Sequence, residues 1–213
     1  MIVKQLLPGG DRNYSYIIGD YESGSGVVID PSYNPEMILK EAKKSGLEIK
    51  YIFCTHNHPD HTNGNSRIIE LTGKKPLFYG DTDPDTGIIL SDGIEIPFGC
   101  LTIKIIHTPG HTEDSMCLYI GDCLFTGDTL FVGKIGGTHS RESALKQYEA
   151  LHKKLMTLPS ETKVYGGHNY GITPISTIGQ EKESNPFILQ RNFEAFYNLK
   201  NNWVQYKLEH GIK

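Results

Sequence analysis

Short apolar runs separated by glycine-rich turns dominate the beginning of the chain. Four of these runs have the length and the β-branched and aromatic content of strands: residues 2–7, 14–19, 26–30 and 49–54. Between the third and fourth runs, Asn34 or Ser32 can cap a helix over residues 35–45, and Gly46 can end it. The pattern predicts that strands form most of this region and that a helix connects two of them.

The remainder of the chain alternates strands, loops and helices in a similar way. Further strands are predicted at residues 76–79, two or three times within 88–106, and at 116–120 and 163–165. Helices are predicted over residues 60–72 and 142–156. Strand-rich segments with helices between them predict two packed β-sheets with helices on the outer faces.

Two helical regions in the second half are rich in apolar side chains. On the helix over 142–156, the predicted buried face consists of Leu145, Tyr148, Leu151, Leu155 and Met156. His152 lies on the same helix, and we expect it to be a surface or core residue and not a metal ligand. The segment 181–213 is helix-prone and aromatic, and it is predicted to be a C-terminal tail that packs on a single domain spanning residues 1–213.

Composition narrows the class of protein. The 213 residues are 38% hydrophobic and 22% charged, as in soluble globular proteins, and the net charge of −4 without a basic cluster argues against nucleic acid as a partner. No apolar stretch approaches the roughly 20 residues of a membrane span, and the N-terminus lacks a signal peptide, so a cytoplasmic location is expected. Cys54, Cys117 and Cys123 are predicted to be buried thiols, and Cys100 to be more exposed.

The segment Thr55–His61 carries the clearest chemical signal. It reads Thr-His-Asn-His-Pro-Asp-His and follows directly on the strand predicted at 49–54. The alternative is a polar loop whose histidines satisfy one another, and Asp60 alone could also serve as a helix cap. Clustered imidazoles need partners, and a metal ion is the usual one, so the segment predicts a metal site at the end of a strand.

Later loops add further ligand-type residues after strands. The strand within 88–106 leads into His107-Thr108-Pro109-Gly110-His111-Thr112, and the strand at 163–165 leads into Gly166-Gly167-His168. Between them, residues 125–131 read Phe-Thr-Gly-Asp-Thr-Leu-Phe and place Asp128 in a loop. The second half therefore repeats the arrangement of the first, in which a strand delivers a His or Asp.

Taken together, these motifs resemble the metallo-β-lactamase superfamily. The sequences at 55–65, 107–112, 125–131 and 166–170 occur in that family's order, and they are most similar to the glyoxalase II branch, the hydroxyacylglutathione hydrolases, in their short bacterial form. The resemblance implies a four-layer αββα sandwich, with two mixed β-sheets flanked by helices. It also implies a cytoplasmic metallohydrolase that acts on a small-molecule thioester of the S-lactoylglutathione type, without nucleic acid or membrane partners, as a monomer or small homo-oligomer.

The resemblance also implies a set of metal ligands. His56, His58 and His111 would hold a first metal, Asp60, His61 and His168 would hold a second, and Asp128 would bridge them; Asp60 and Asp128 are also the predicted catalytic residues. Two divalent ions are expected, with zinc ahead of iron or manganese. Such a pair can share a hydroxide and polarise a carbonyl, and a thioester suits it because a thiolate leaves readily.

The chain departs from the glyoxalase II pattern near the expected substrate. Gly137 stands where that family usually has a basic residue, Lys134 is the nearest candidate to replace it, and Tyr170 matches a tyrosine that contacts glutathione. The longer C-terminal helical domain of full-length glyoxalase II is also missing. From these two features we expect weak selectivity for glutathione over smaller thiols.

Two other functions compete with this interpretation. Residues 176–186 resemble a segment of the persulfide dioxygenases of the same superfamily, which use one iron held by two histidines and an aspartate, here His56, His111 and Asp128. The other alternative is a non-catalytic metal-binding protein on a degenerate scaffold. The complete set of seven ligand positions argues against the second of these alternatives.

Overall fold

Ten strands form two facing β-sheets in the computed structural model, which describes residues 1–211. The strands are β1 (Ile2–Gly9), β2 (Asn13–Gly19), β3 (Ser25–Ile29), β4 (Glu48–Phe53), β5 (Glu95–Phe98), β6 (Leu101–His107), β7 (Met116–Ile120), β8 (Cys123–Gly127), β9 (Lys163–Gly166) and β10 (Ser176–Thr177). The first sheet has the order β1-β2-β3-β4 and the second the order β10-β9-β8-β7-β6-β5. The strands predicted at residues 2–7, 14–19, 26–30, 49–54, 116–120 and 163–165 are therefore confirmed.

Each sheet contains one parallel pair of strands. β3 and β4 run parallel in the first sheet, and β8 and β9 run parallel in the second, while the other neighbours are antiparallel. Both sheets are therefore mixed. The carboxyl ends of parallel strands are where α/β proteins commonly place their ligands. Of the four segments that carry the predicted metal ligands, three follow β4, β8 or β9.

The two sheets pack against each other through their apolar inner faces. This shared core includes Ile18 and Phe53 from the first sheet and Ile105, Leu118 and Phe125 from the second, all buried. Aromatic contacts cross the interface, for example between Tyr16 and Phe125, whose ring centroids lie 5.1 Å apart. Burial of these large side chains is the main favourable contribution to the association of the sheets.

Helices cover both outer faces. They are α1 (Pro35–Lys44), α2 (Pro59–Thr62), α3 (Asn65–Thr72), α4 (Arg141–Lys153), α5 (Ile178–Ser184), α6 (Phe193–Asn201) and α7 (Trp203–His210), with a 3₁₀ turn at Leu155–Thr157. α1 and α3 pack on the first sheet through Ile38, Ala42 and Ile68, and α4 and α6 pack on the second through Leu151 and Phe196. The predicted αββα sandwich is confirmed.

The helix predicted over residues 60–72 is instead two helices. α2 ends at Thr62 and α3 begins at Asn65, and Asn63 and Gly64 lie between them. A Cβ at Gly64 would overlap the carbonyl oxygen of Pro31, so the chain passes too close to its neighbour there for any larger residue. A glycine at this crossing permits the change of direction, which the helical pattern alone did not indicate.

Two other expectations need correction. Residues 76–79 form no strand: Leu77 makes only an isolated bridge to Phe53, and the chain then turns, with the Phe78 N–H donating to the Asp81 carboxylate. Leu145, predicted on the buried face of α4, is 40% exposed, whereas Ala144 and Gln147 are buried in its place. The prediction of two or three strands within residues 88–106 is confirmed, since β5 and most of β6 lie there.

In the C-terminal tail, the end of α5, α6 and α7 are helical, and residues 185–192 form a loop between α5 and α6. The last two residues of the tail, 212–213, lie outside the described part. Cys54, Cys117 and Cys123 are buried and Cys100 is exposed, as expected. Within residues 1–211, no helix has both the length and the apolar character needed to cross a bilayer.

Candidate metal centre

The strand ends of the two sheets bring all seven predicted ligands together. His56, His58, Asp60 and His61 follow β4, Asp128 follows β8 and His168 follows β9, while His111 lies in the loop after β6. Their ligand-type atoms form overlapping groups in which every atom lies within 4.8 Å of the others: His56, His58 and His111; His56, His61 and Asp128; Asp60, His61 and His168. Two of these groups contain the same residues as the two predicted metal positions, and Asp128 lies next to both.

The first position is defined by three imidazoles. The Nδ1 atom of His58 lies 3.0 Å from His56 Nε2 and 2.9 Å from His111 Nε2. His111 Nε2 is in turn 3.5 Å from Asp128 Oδ2. Ligands about 2.0–2.1 Å from a tetrahedral metal are separated from one another by roughly 3.3 Å, so these spacings suit a single ion bound by all of them.

The second position is defined by two imidazoles and two carboxylates. His61 Nε2 lies 3.3 Å from His168 Nε2 and 3.3 Å from Asp128 Oδ1. Asp60 Oδ2 lies 3.3 Å from His168 Nε2 and 3.6 Å from His61 Nε2. His61 and His168 are buried, while Asp60 is partly exposed at the mouth of the site.

The outward nitrogens of four imidazoles are hydrogen-bonded to the protein. His61 Nδ1 lies 2.9 Å from Asp30 Oδ2, His111 Nδ1 lies 2.8 Å from the carbonyl of Gly137, and His168 Nδ1 lies 2.9 Å from the carbonyl of Asp11. Carboxylates and carbonyls only accept, so these nitrogens donate, and each ring in its neutral form carries its lone pair on Nε2. The lone pairs therefore point into the cluster, as metal ligation requires.

His56 reaches the same tautomer through Thr55. The Thr55 hydroxyl donates to Asp30 Oδ2 at 2.8 Å, so its oxygen is left to accept a hydrogen bond from His56 Nδ1 at 3.1 Å. Burial is the main reason that the pKa of His56 is lowered to about 2, and the neighbouring His61 adds to the effect. His56 is accordingly a neutral imidazole with Nε2 available.

These contacts argue against histidines that merely satisfy one another. His61 and His168 both donate through Nδ1, and their Nε2 atoms face each other at 3.3 Å, so either a proton on one ring or a metal ion between them must separate the two lone pairs. Burial opposes a proton on His61, but the carboxylates of Asp30 and Asp128 outweigh it and raise the pKa of His61 well above its ordinary value. The site is therefore built to hold positive charge.

The surroundings of Asp128 also suit a bound cation. Its Oδ1 is buried and accepts no hydrogen bond, and its carboxylate lies between the two groups of imidazoles. Burial would raise its pKa, but the neighbouring His168 and His61 hold that pKa well below the usual range, so the group is ionised. An ionised, buried and unsatisfied oxygen next to inward-facing imidazole lone pairs fits a metal ion.

Asp30 is a functional residue that sequence reasoning did not identify. It is the last residue of the strand predicted at 26–30, it is 1% exposed, and it accepts from the backbone and hydroxyl of Thr55 as well as from His61. Its φ of 51° lies in the left-handed region that non-glycine residues rarely adopt. The strained backbone is consistent with a residue held in place for the site.

The turn between β1 and β2 supplies a second unrecognised group of contacts. Asp11 accepts from His168 through its carbonyl, and Asn13 Nδ2 donates to Asp60 Oδ2 at 2.9 Å. The Asp11 carboxylate accepts from the Tyr170 hydroxyl at 2.6 Å. The second position is thus supported by a hairpin distant in sequence, whose glycine-rich composition indicated only a turn.

Tyr170 and Lys134, the predicted substrate contacts, lie beside the cluster. The Tyr170 ring stacks on His168 with centroids 4.6 Å apart. The Arg12 guanidinium lies 4.8 Å from the centroid of the same Tyr170 ring. Burial and the bond to Asp11 raise the pKa of Tyr170, which remains a neutral phenol. Lys134 Nζ donates to the Tyr170 carbonyl at 3.0 Å.

A cavity of about 380 Å³ opens directly above Asp128. Three cations line it: Arg12, Lys134 and Lys207. Burial lowers the pKa of Lys134, and the positive charges of Lys207 and Arg12 lower it further. The rest of the wall consists of Phe131, Ile135, Gly136, Gly137, Tyr170 and Trp203.

His152 lies outside the cluster, as expected. Its ring nitrogens face the carbonyl oxygens of Tyr148 and Ile188 at 2.9 and 3.2 Å. It joins α4 to the segment before α6.

Comparison with known proteins finds one matching family and similar proteins of one name. The family model described as the metallo-beta-lactamase superfamily matches residues 8–77 and 72–168, which include all seven clustered residues. A hydroxyacylglutathione hydrolase of Nitrosococcus oceani is 35% identical over 179 residues, or 80% of this chain and 67% of that protein. A protein of the same name from Pelagibacter ubique is 38% identical over 169 residues, or 78% of this chain and 70% of that protein.

Solved structures share the fold over most of their length. ETHE1 from Myxococcus xanthus superposes with a TM-score of 0.86 at 32% identity, and the match covers 95% of this chain and 91% of that one. The protein TTHA1623 in a di-iron-bound form superposes with a TM-score of 0.68 at 27% identity, over 88% of this chain and 100% of that one. Both similarities extend well beyond the motif loops.

Proposed function

The chain belongs to the metallo-β-lactamase superfamily, and from that premise we propose that it is a metal-dependent hydrolase that cleaves a small thioester of the hydroxyacylglutathione type. The observation that carries the proposal is the convergence of five inward-facing imidazoles and two carboxylates. The names of the relatives from Nitrosococcus oceani and Pelagibacter ubique support the choice of substrate class.

The proposed cofactor is a pair of divalent metal ions, zinc first, with iron or manganese as alternatives. His56, His58 and His111 would hold one ion, Asp60, His61 and His168 the other, and Asp128 both. When bound, the ions would supply a hydroxide nucleophile at neutral pH and polarise the thioester carbonyl. The proposed catalytic carboxylates, Asp60 and Asp128, would fix this arrangement by balancing the positive charge between the two positions.

The protein's own groups prepare this chemistry. Asp30, Gly137 and Asp11 accept the outward protons of His61, His111 and His168, so each ring presents Nε2 to the site without rearrangement. Preorganised ligands of this kind raise metal affinity and keep the reacting atoms in register. The departing thiolate, with an ordinary thiol pKa near 8.5, needs little help from a general acid.

The cavity above Asp128 suits a thiol that carries carboxylates, as glutathione does. The expectation of weak selectivity for glutathione rested in part on Gly137, which stands where the glyoxalase II family usually has a basic residue. Arg12 and Lys207, which that argument did not consider, line the cavity with Lys134. We therefore propose that these cations bind the acidic end of the substrate, with Tyr170 forming part of the wall.

Thioesterase activity is tested with metal-loaded protein and S-lactoylglutathione, following release of free thiol with a thiol reagent. Cleavage by the wild type is expected, with loss of at least about a hundredfold in His56→Ala, because removal of a ligand disrupts the site. His210→Ala is the matched control, since His210 is exposed on α7 and bonded only within its own helix. Absence of thiol release from fully loaded wild type would reject the proposal.

An iron-dependent dioxygenase acting on a persulfide is the second candidate. Residues 176–186, which carry that resemblance, contact the site loop: the Glu181 carboxylate accepts from Gly133 N at 3.1 Å, and Asn185 Nδ2 donates to the Lys134 carbonyl at 3.2 Å. Oxygen uptake with glutathione persulfide, together with a single iron per chain, would favour this candidate over the hydrolase. The single-domain organisation, the cytoplasmic location and the monomeric or small homo-oligomeric state stay predictions from the sequence.

A further inference from the structure

A lysine from the C-terminal tail lies half-buried behind the metal centre. Lys200, on α6, donates from Nζ to the carbonyl of Gly136 at 2.9 Å and to Gln147 Oε1 at 2.7 Å. Its ammonium lies 5.6 Å from the Phe196 ring centroid and 6.0 Å from that of Phe187. Burial lowers the pKa of Lys200 to about 8. Burying a charge next to aromatic rings costs free energy, which hydrogen bonds to the ammonium group can offset.

The atom that Lys200 contacts belongs to the loop beneath the metal ligands. The Gly136 carbonyl also accepts from Gln147 Nε2 at 3.1 Å, and Gln147 is 0% exposed. On its other side, Gly136 lies against two predicted ligands: a Cβ there would overlap the backbone oxygen of Asp128 and lie 2.9 Å from His111 Nδ1. The position of Gly136 is therefore tied to both residues.

The neighbouring peptide reaches His111 directly. The Gly137 carbonyl accepts from His111 Nδ1 at 2.8 Å, which directs His111 Nε2 toward His58 and Asp128. A Cβ on Gly137 would meet no atom within 4 Å, so close packing around its Cα does not hold this residue in place. Its anchor is the adjoining Gly136 peptide, which Lys200 and Gln147 fix.

We propose that Lys200 is a positioning residue for metal binding: together with Gln147 it anchors the Gly136–Gly137 peptide and so holds His111 in the tautomer that presents Nε2 to the first metal position. The inference rests on the proposed role of His111 as a ligand. It assigns a part in the site to the C-terminal tail, which lies outside the four motifs that define the superfamily resemblance.

A purely structural role is the competing explanation, because Lys200 also joins α6 to α4 through Gln147. The two roles differ in what they predict for the two metal positions. Loss of a positioning contact affects His111 and the first position, and leaves the second, held by Asp60, His61 and His168, unchanged. Loss of a packing contact lowers stability and affects both positions alike, or neither.

The test compares Lys200→Met, Lys200→Arg and the control Lys153→Met, whose lysine is exposed on α4 and paired with Glu149. Long-range ¹⁵N–¹H NMR on metal-free protein reports the tautomer of His111. Competition with a chromophoric chelator reports zinc affinity at each position. For Lys200→Met we expect a mixed His111 tautomer and at least tenfold weaker zinc binding at the first position only, the usual size of such effects. Lys200→Arg should restore both in part.

Three outcomes overturn the proposal: an unchanged His111 tautomer, equal weakening at both positions, or no rescue by arginine. If Lys200→Met does not fold, Lys200→Gln retains one amide donor and should show the same pattern to a smaller extent. None of these measurements uses thioester cleavage. A wild type that cuts no thioester would therefore reject the proposed function while leaving the tautomer and affinity results to decide the role of Lys200.

Discussion

Asp30 Oδ2 lies 2.9 Å from Nδ1 of His61, a residue 31 positions later in the chain, and both side chains are buried. The same carboxylate accepts a hydrogen bond from the Thr55 hydroxyl, whose oxygen in turn accepts a hydrogen bond from Nδ1 of His56. One acidic group at the end of β3 therefore orients a predicted ligand of each metal position. The relationship joins the parallel strands β3 and β4 to the chemistry at their carboxyl ends.

Asp30→Asn should weaken metal binding without changing any ligand. An amide cannot accept at both of its terminal atoms, so His61 or Thr55 loses a partner. Second-shell losses of this kind typically cost 10–100-fold in metal affinity. We expect a greater loss at the second position, because His61 contacts Asp30 directly. Zinc competition titrations measure both positions, with Asp122→Asn, a surface residue paired with Lys163, as the control. Unchanged affinities would contradict the role of Asp30.

Asp128→Ala and His168→Ala should differ in metal content. Asp128 lies beside both groups of imidazoles, so its removal should weaken both positions, whereas His168→Ala should empty the second and leave the first largely filled. Metal analysis of wild type and both variants, prepared in parallel, provides the measurement. A wild type with one iron that persists in His168→Ala and disappears in Asp128→Ala would rule out the dinuclear assignment.

Arg12→Gln should reduce the preference for acidic thiols. A lost charge-assisted hydrogen bond costs about 1.5–3 kcal/mol, or roughly 10–100-fold in kcat/KM, and the loss should appear mainly in KM because the contact is distant from the reacting carbonyl. Thioesters of glutathione and of a small neutral thiol are compared. Arg67→Gln, an exposed arginine paired with Glu36 and Glu70, serves as the control. Equal effects on both thioesters would argue against an anion-binding cavity.

Gly136→Ala and Gly137→Ala form a matched pair. A Cβ at Gly136 overlaps the Asp128 backbone oxygen, whereas a Cβ at Gly137 meets no atom within 4 Å. We expect Gly136→Ala to lower the free energy of unfolding by about 1–3 kcal/mol and to impair metal binding. Gly137→Ala should stay within about 0.5 kcal/mol of wild type. Urea denaturation measures the free energy of unfolding of both variants. Equal effects at the two positions would refute the tight contact at Gly136.

The charge of Lys200 should make stability depend on pH. Its folded pKa of about 8 lies below the ordinary value of 10.5, so between these values the unfolded chain binds more protons than the folded one. The free energy of unfolding should therefore rise with pH in that window. From about pH 7 to about pH 9.5, metal-free wild type should gain about 1–2 kcal/mol relative to Lys200→Met. A gain of equal size in both proteins, or a loss, would contradict the buried charge.

Local sequence determined the strands and the ligand-type residues. The run Thr55–His61 places three imidazoles and a carboxylate after one strand, and such spacing requires no tertiary information to suggest a metal site. Apolar runs bounded by glycine likewise located the first four strands, because a buried strand needs little beyond its own side chains to be recognised. The order of the four motifs indicated the sandwich.

Tertiary structure alone decided what surrounds those ligands. Asp30, Asp11 and Lys200 orient His61, His168 and His111 across long separations in sequence, and no local pattern marks a carboxylate, a turn carbonyl or a lysine for that task. The break in the helix at Gly64 and the exposure of Leu145 arise in the same way, since both depend on which chain segment lies opposite. Spacing in the sequence specifies which side chains lie in the same loop after a strand. Hydrogen bonds and close contacts between distant segments exist only once the two sheets have packed.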